Sequence, residues 1–97
     1  MVTSFYPDLY QAALALLIEA REKAVLSQAE LAACFGLPEQ LEVSYESGAR
    51  LLDVGEFVAI CRAIGGDPYE LLLKAERIAD GSFAELESTV AEPLVEE

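Results

Sequence analysis

The chain has 97 residues, of which 18 are acidic, 6 basic and none histidine, for a net charge of −12. That length builds one domain around a single core. The charge argues against a protein that works mainly by attraction to phosphate or to an anionic membrane.

Other absences narrow the class further. With no His, no Gly-rich phosphate loop and no nucleophile spaced with a base, no enzyme, cofactor or metal site is expected. The longest apolar run, Ala12 to Ile18, has seven residues, against the roughly 18 that a membrane span needs. No signal-peptide pattern precedes it, so a cytoplasmic protein is expected. Cys34 and Cys61 sit among Ala, Phe and Ile and read as small buried hydrophobes.

A first helix is expected over about 8–24. Its segment Ala12–Ile18 is apolar all the way round, where a surface helix shows one stripe. Leu14, Leu17 and Arg21 share a face; Leu16 and Ile18 point elsewhere. Two explanations stand: a C-terminal helix folds over Leu16 and Ile18, or these two form a self-association surface.

The second helix, about 28–35, opens on Ser27-Gln28-Ala29-Glu30, a capping box in which Ser and Glu each satisfy the other's amide. The same device recurs at Asp53/Glu56, Asp67/Glu70 and Ser82/Glu85, and Pro68 suits the first helical position. These signals start helices at about 53–64 and 67–79, after a third at about 38–47, with a weaker sixth pattern at about 83–91. Gly36, Gly48, Gly65-Gly66 and Gly81 mark ends, and Gly36 permits the positive φ of a tight turn. No sustained period-two alternation occurs, so no sheet is expected. The reading is an all-α fold, compact, of five helices or six. Residues 1–79 make the domain, and 80–97 a tail with six acids and no base. Without that tail the body is still at −6.

Several of these features fall in one register. Arg21, Leu26-Ser27-Gln28 with Glu30-Leu31-Ala32, Gly36-Leu37, Glu46 with Gly48, Arg50, Ala63-Ile64-Gly65 and Asp67-Pro68-Tyr69-Glu70-Leu71-Leu72 resemble the Cro/CI-type (XRE) helix-turn-helix family over about residues 9–73. The resemblance implies a lambda-repressor-like domain whose third helix enters the DNA major groove. Leu26, Leu31, Phe35, Leu37, Phe57, Ile60 and Ile64 would supply its core, with Ala32 at a close helix crossing. It also implies a partly buried ion pair between Arg21 and Glu46, a phosphate or anchoring role for Gln28, base-facing positions at Glu39, Gln40 and Ser44, and a backbone-contacting cation at Arg50.

Two departures stand out. The stretch Ser27–Gly48 holds Glu30, Glu39, Glu42 and Glu46 and no base. Relatives have an aliphatic residue where this chain has Glu42, and a buried Glu is costly unless protonated or paired. A rotated third helix, with Leu41 and Tyr45 inward, is the expected solution. Two functions follow. One is a transcriptional regulator binding specific DNA as a homodimer; the other is an acidic interaction module, such as an antirepressor, antitoxin-like protein or DNA mimic, that binds a basic protein partner.

Overall fold

The computed structural model describes residues 7–79. Within them lie five helices, α1 (Pro7–Lys23), α2 (Gln28–Ala33), α3 (Glu39–Ser47), α4 (Val54–Ile64) and α5 (Pro68–Ile78), and no strand. The all-α expectation stands. The pattern at 83–91, the Ser82/Glu85 box and Gly81 lie outside the described residues.

Local chemistry sets the helix starts. In α2, Ser27 Oγ accepts from Glu30 N at 3.0 Å and Glu30 Oε1 accepts from Ser27 N at 2.8 Å. Asp53 and Glu56 close the same box on α4, at 2.7 and 2.9 Å. Asp67 departs from the expected box. Its carboxylate accepts from Tyr69 N at 2.9 Å, the second amide rather than the third, where Pro68 sets the first turn. Gly36 takes φ 66° between α2 and α3, a region that costs an L-residue roughly 1–2 kcal/mol.

α1 packs chiefly against α5 and α2 against α3, while α4 touches α1, α2 and α5. The core joins Ala12, Ala13 and Leu17 of α1 to Leu31, Tyr45, Phe57, Ile60, Cys61 and Ala75. Leu31 and Ala75 are wholly enclosed, and burying a Leu side chain contributes about 2 kcal/mol. α1 turns Ala12, Ala13, Leu14 and Leu17 inward, against α5 and α4, while the C-terminal helix expected over Leu16 and Ile18 lies outside the described residues. Leu16 is half-buried and packs on the core, and Ile18 is half-buried.

Three expectations need correcting. α2 ends at Ala33, so Cys34 is its C-cap and lies exposed. Phe35 and Leu37 fall in the turn beyond it and are 39% and 44% exposed, so neither is core. Cys61 is buried, and burial pushes its thiol pKa up, which suits a packing role.

Candidate nucleic-acid interface

The site grows from a charged knot behind α3. Arg21 Nε donates to Glu46 Oε2 at 2.7 Å, and Nη2 donates to Oε1 at 3.0 Å. The third arm, Nη1, donates to the Leu26 carbonyl at 2.7 Å. Both side chains are about nine-tenths buried. This two-pronged pairing raises the Arg21 pKa, Glu46 being the main cause. Burial alone would raise the Glu46 pKa, but hydrogen bonds with Arg21, Glu42 and Gln28 outweigh it and hold it below the ordinary value.

Gln28 belongs to the same knot, its Nε2 donating to Glu46 Oε1 at 2.9 Å. Its amide therefore ties the start of α2 to the back of α3. The sequence named Gln28 for a phosphate or anchoring role, and the observed contact is an intramolecular one.

Glu42 also faces inward, only 6% exposed. The expected rotation of α3 does not occur in the form foreseen. Tyr45 is buried and Leu41 half-buried, as anticipated, but Glu42 stays inside with them. Burial first, then its hydrogen bond with Glu46, raise its pKa from 4.5 to about 7, with Arg21 opposing. Protonated Glu42 is a donor that the Glu46 carboxylate can accept.

Tyr45 makes the second tie. Its hydroxyl donates to Glu56 Oε2 at 2.6 Å, so one carboxylate caps α4 and anchors α3. Arg50 lies over the Tyr45 ring, 5.7 Å from its centroid, within cation–π range. A cavity of about 330 Å³ lies between α2, α3 and α4, with Phe35, Leu41, Tyr45 and Ile60 in its wall. Neither the Tyr45–Glu56 link nor this cavity shows in the sequence, because each joins helices whose facing is a tertiary matter.

With Glu42, Tyr45 and Glu46 behind it, α3 turns Glu39, Gln40, Val43 and Ser47 outward, with Ser44 half-exposed. Arg50 is exposed just past its end. Four of the five residues named for DNA contact thus remain accessible, and the fifth, Gln28, is engaged within the protein. Charge is also quieter than the sequence count suggests. Glu46 is paired, Glu42 is raised towards neutral pH, and Glu30 is tied to its own helix start. Among the four acids of this stretch, Glu39 alone is exposed without a bond. The other cations lie on α1, α4 and α5. Arg21 is held by Glu46, Lys23 pairs with Glu19 at 3.6 Å, Arg62 is exposed in the last turn of α4, and Lys74 and Arg77 ride on α5, which packs against α1 and α4.

Two short helices crossing through a Gly turn, braced by an ion pair from the preceding helix, define a helix-turn-helix protein. No protein-family model and no curated protein sequence matches the chain. Among solved structures it is similar to an XRE-family like protein from Pseudomonas syringae pv. tomato str. DC3000, at 51% identity and a TM-score of 0.67, over 71% of this chain and 86% of that one. The chain belongs to the XRE family. No described helix is long and apolar enough to cross a membrane.

Proposed function

We propose that the protein is a transcriptional regulator that reads a specific DNA site as a homodimer through the outward face of α3. The observation that carries this reading is the register of α3, which leaves Glu39, Gln40 and Ser44 on the accessible side. In that role Gln40 pairs with adenine through two hydrogen bonds, Glu39 accepts from a cytosine amino group, and Ser44 adapts to either. Arg50 meets a phosphate, and Gln28 stiffens the anchor of α3. With Arg50 the cation that directly follows α3, phosphate contacts at this face are few, so affinity depends on joining two half-sites.

A second reading, an acidic module for a basic protein partner, is favoured by the apolar fringe of the same face. Phe35, Leu37 and Val43 are each about two-fifths exposed beside Glu39, which would suit a partner helix carrying both apolar and basic residues.

Selection from a random DNA pool at about 50 mM and again at about 200 mM salt, with mass by light scattering, separates the two. The expected result is a two-fold-symmetric site bound by a dimer, with a log–log salt slope of about −2 for one phosphate contact per protomer. Gln40→Ala is expected to lose roughly 5–150-fold at one base pair, and Arg50→Ala to weaken all sequences alike. No retention at the lower salt overturns the DNA reading; a basic protein captured by wild type and lost with Glu39→Lys then establishes the second.

A further inference from the structure

We propose that the cavity between α2, α3 and α4 binds a small organic ammonium ion, its nitrogen on Glu42 and its apolar body between Phe35, Leu41 and Ile60. The inference is independent of what α3 binds on its outward face.

The cavity holds about 330 Å³, at the lower end of the range of ligand pockets and enough for one ring with a short arm. Ala32, Phe35, Leu37, Leu41 and Ile60 give it apolar walls. Phe35 and Leu37 are 39% and 44% exposed, so solvent reaches the cavity on the side of the turn between α2 and α3. Walls of this kind favour a ligand that carries hydrocarbon.

The charged groups of the wall are unevenly balanced. Glu56 and Arg50 answer one another through Tyr45, whose hydroxyl donates to Glu56 at 2.6 Å and whose ring lies under the Arg50 guanidinium, 5.7 Å from its centroid. Glu42 lines the same cavity and is 6% exposed. The charged groups that face it from behind are Glu46 and Arg21, which already pair with each other. Three carboxylates thus stand against two guanidiniums, one positive charge short. A proton makes up the difference when Glu42 is neutral; an ammonium ion does so when Glu42 is ionised. Neutral Glu42 donates its proton to Glu46, which leaves its other oxygen an acceptor. In either state Glu42 calls for a donor.

These features select the class of ligand. Among the described residues no group of His, Cys, Asp and Glu side chains could hold a metal ion, and a bare cation would leave the apolar walls against water. A phosphate or carboxylate would meet Glu42 and Glu56 as like charges. A neutral alcohol donates to Glu42 but leaves the charge unbalanced. An alkyl or aryl ammonium ion supplies the donor, the charge and the hydrocarbon together. Bound there, it rests against the inner side of α3, behind the exposed Glu39 and Gln40.

The test is a titration of the isotope-labelled full-length chain with 2-phenylethylamine, read from amide shifts at constant ionic strength. Its neutral counterpart 2-phenylethanol and the bare cation methylamine are run beside it. Saturable shifts at Ala32, Leu41 and Ala59 are expected with the ring-bearing amine, at a Kd of about 1 mM or tighter. The alcohol should bind at least about tenfold more weakly. Affinity for the amine should rise by up to about tenfold from about pH 6 to about pH 8, as Glu42 ionises. Glu42→Gln should bring the amine down to the level of the alcohol, and Ala59→Leu, at an exposed position of the wall, should weaken both. No saturable shift by about 10 mM, or binding unchanged in Ala59→Leu, overturns the site. Equal binding of amine and alcohol, or shifts that methylamine reproduces, overturns the ammonium assignment. Amine affinity unchanged in Glu42→Gln overturns the role of Glu42; should that variant not fold, Ala59→Leu and the alcohol comparison decide.

Discussion

Arg21 makes three hydrogen bonds that no other side chain could reproduce: two to one carboxylate in the plane of its guanidinium, and one to the Leu26 carbonyl. Lys has the charge without the fork. Truncation leaves Glu46 in a poorly solvated place with its main cation gone, at a cost of roughly 3–5 kcal/mol. For a domain of this size Arg21→Ala is therefore expected to lower Tm by at least about 12 °C. A melt within a few degrees of wild type would show that the pair contributes little. Val25 is a site where the opposite is expected. It ends α1 with φ 58°, Val25 N donating to the Glu22 carbonyl and Leu26 N to the Arg21 carbonyl. This is the arrangement in which helices use Gly. A β-branched residue is strained there, and at 85% exposure its side chain packs on little. Val25→Gly should raise stability by about 1 kcal/mol, net of the extra freedom Gly has when unfolded; an unchanged or lower Tm would refute the strain argument.

At the scale of elements, α3 is held by groups that titrate in opposite senses. Glu46 has its pKa lowered in the fold, so its contribution is present above the ordinary carboxylate range and lost as pH falls through it. Glu42 has its pKa raised from 4.5 to about 7, so between those values the folded chain binds more protons than the unfolded one. Stability must then fall as pH rises through that window, and the penalty is fully present above it. Glu42→Leu, which restores an aliphatic residue at this core position, is expected to raise Tm more at pH 8 than at pH 5. It should also flatten the pH dependence between 4.5 and about 7. Equal shifts at both pH values would mean that Glu42 is not the titrating group. The α3–α4 contact carries a different lesson. Glu56 caps α4 and accepts from Tyr45 with its other oxygen, so one side chain couples a local helix signal to a tertiary tie. The first role was legible as Asp53-x-x-Glu56; the second was not.

For the whole molecule, charge works against compactness. A net −12 on 97 residues is self-repelling, and counter-ions screen such repulsion. Raising salt from about 50 mM to about 500 mM should therefore raise Tm, because the partly buried Arg21–Glu46 pair is screened far less than the exposed acids. A falling Tm would show that attractive surface pairs, such as Lys23–Glu19, outweigh the net repulsion. The same screening would weaken the DNA binding proposed for α3. If α3 reads DNA as proposed, stability and DNA affinity are expected to move in opposite directions with salt.

The helices themselves were legible in the order of residues, because their signals are local. Caps at Ser27, Asp53 and Asp67, the turn at Gly36 and apolar spacing in α1, α4 and α5 act within a few residues, and the helices observed start within about two residues of those expected. The Arg21–Glu46 pair was legible only through resemblance, since nothing local joins positions 25 apart in the chain. Tertiary structure decided the rest. Whether Phe35 and Leu37 are core or rim depends on where α2 stops. Whether Glu42 turns out to solvent or stays inside depends on a neighbouring carboxylate from the next turn, an arginine from α1 and the low polarity they share. A pattern of apolar and charged letters assigns residues to faces, but only packing sets the dielectric around a face, and with it the raised pKa of Glu42 behind the outward surface of α3.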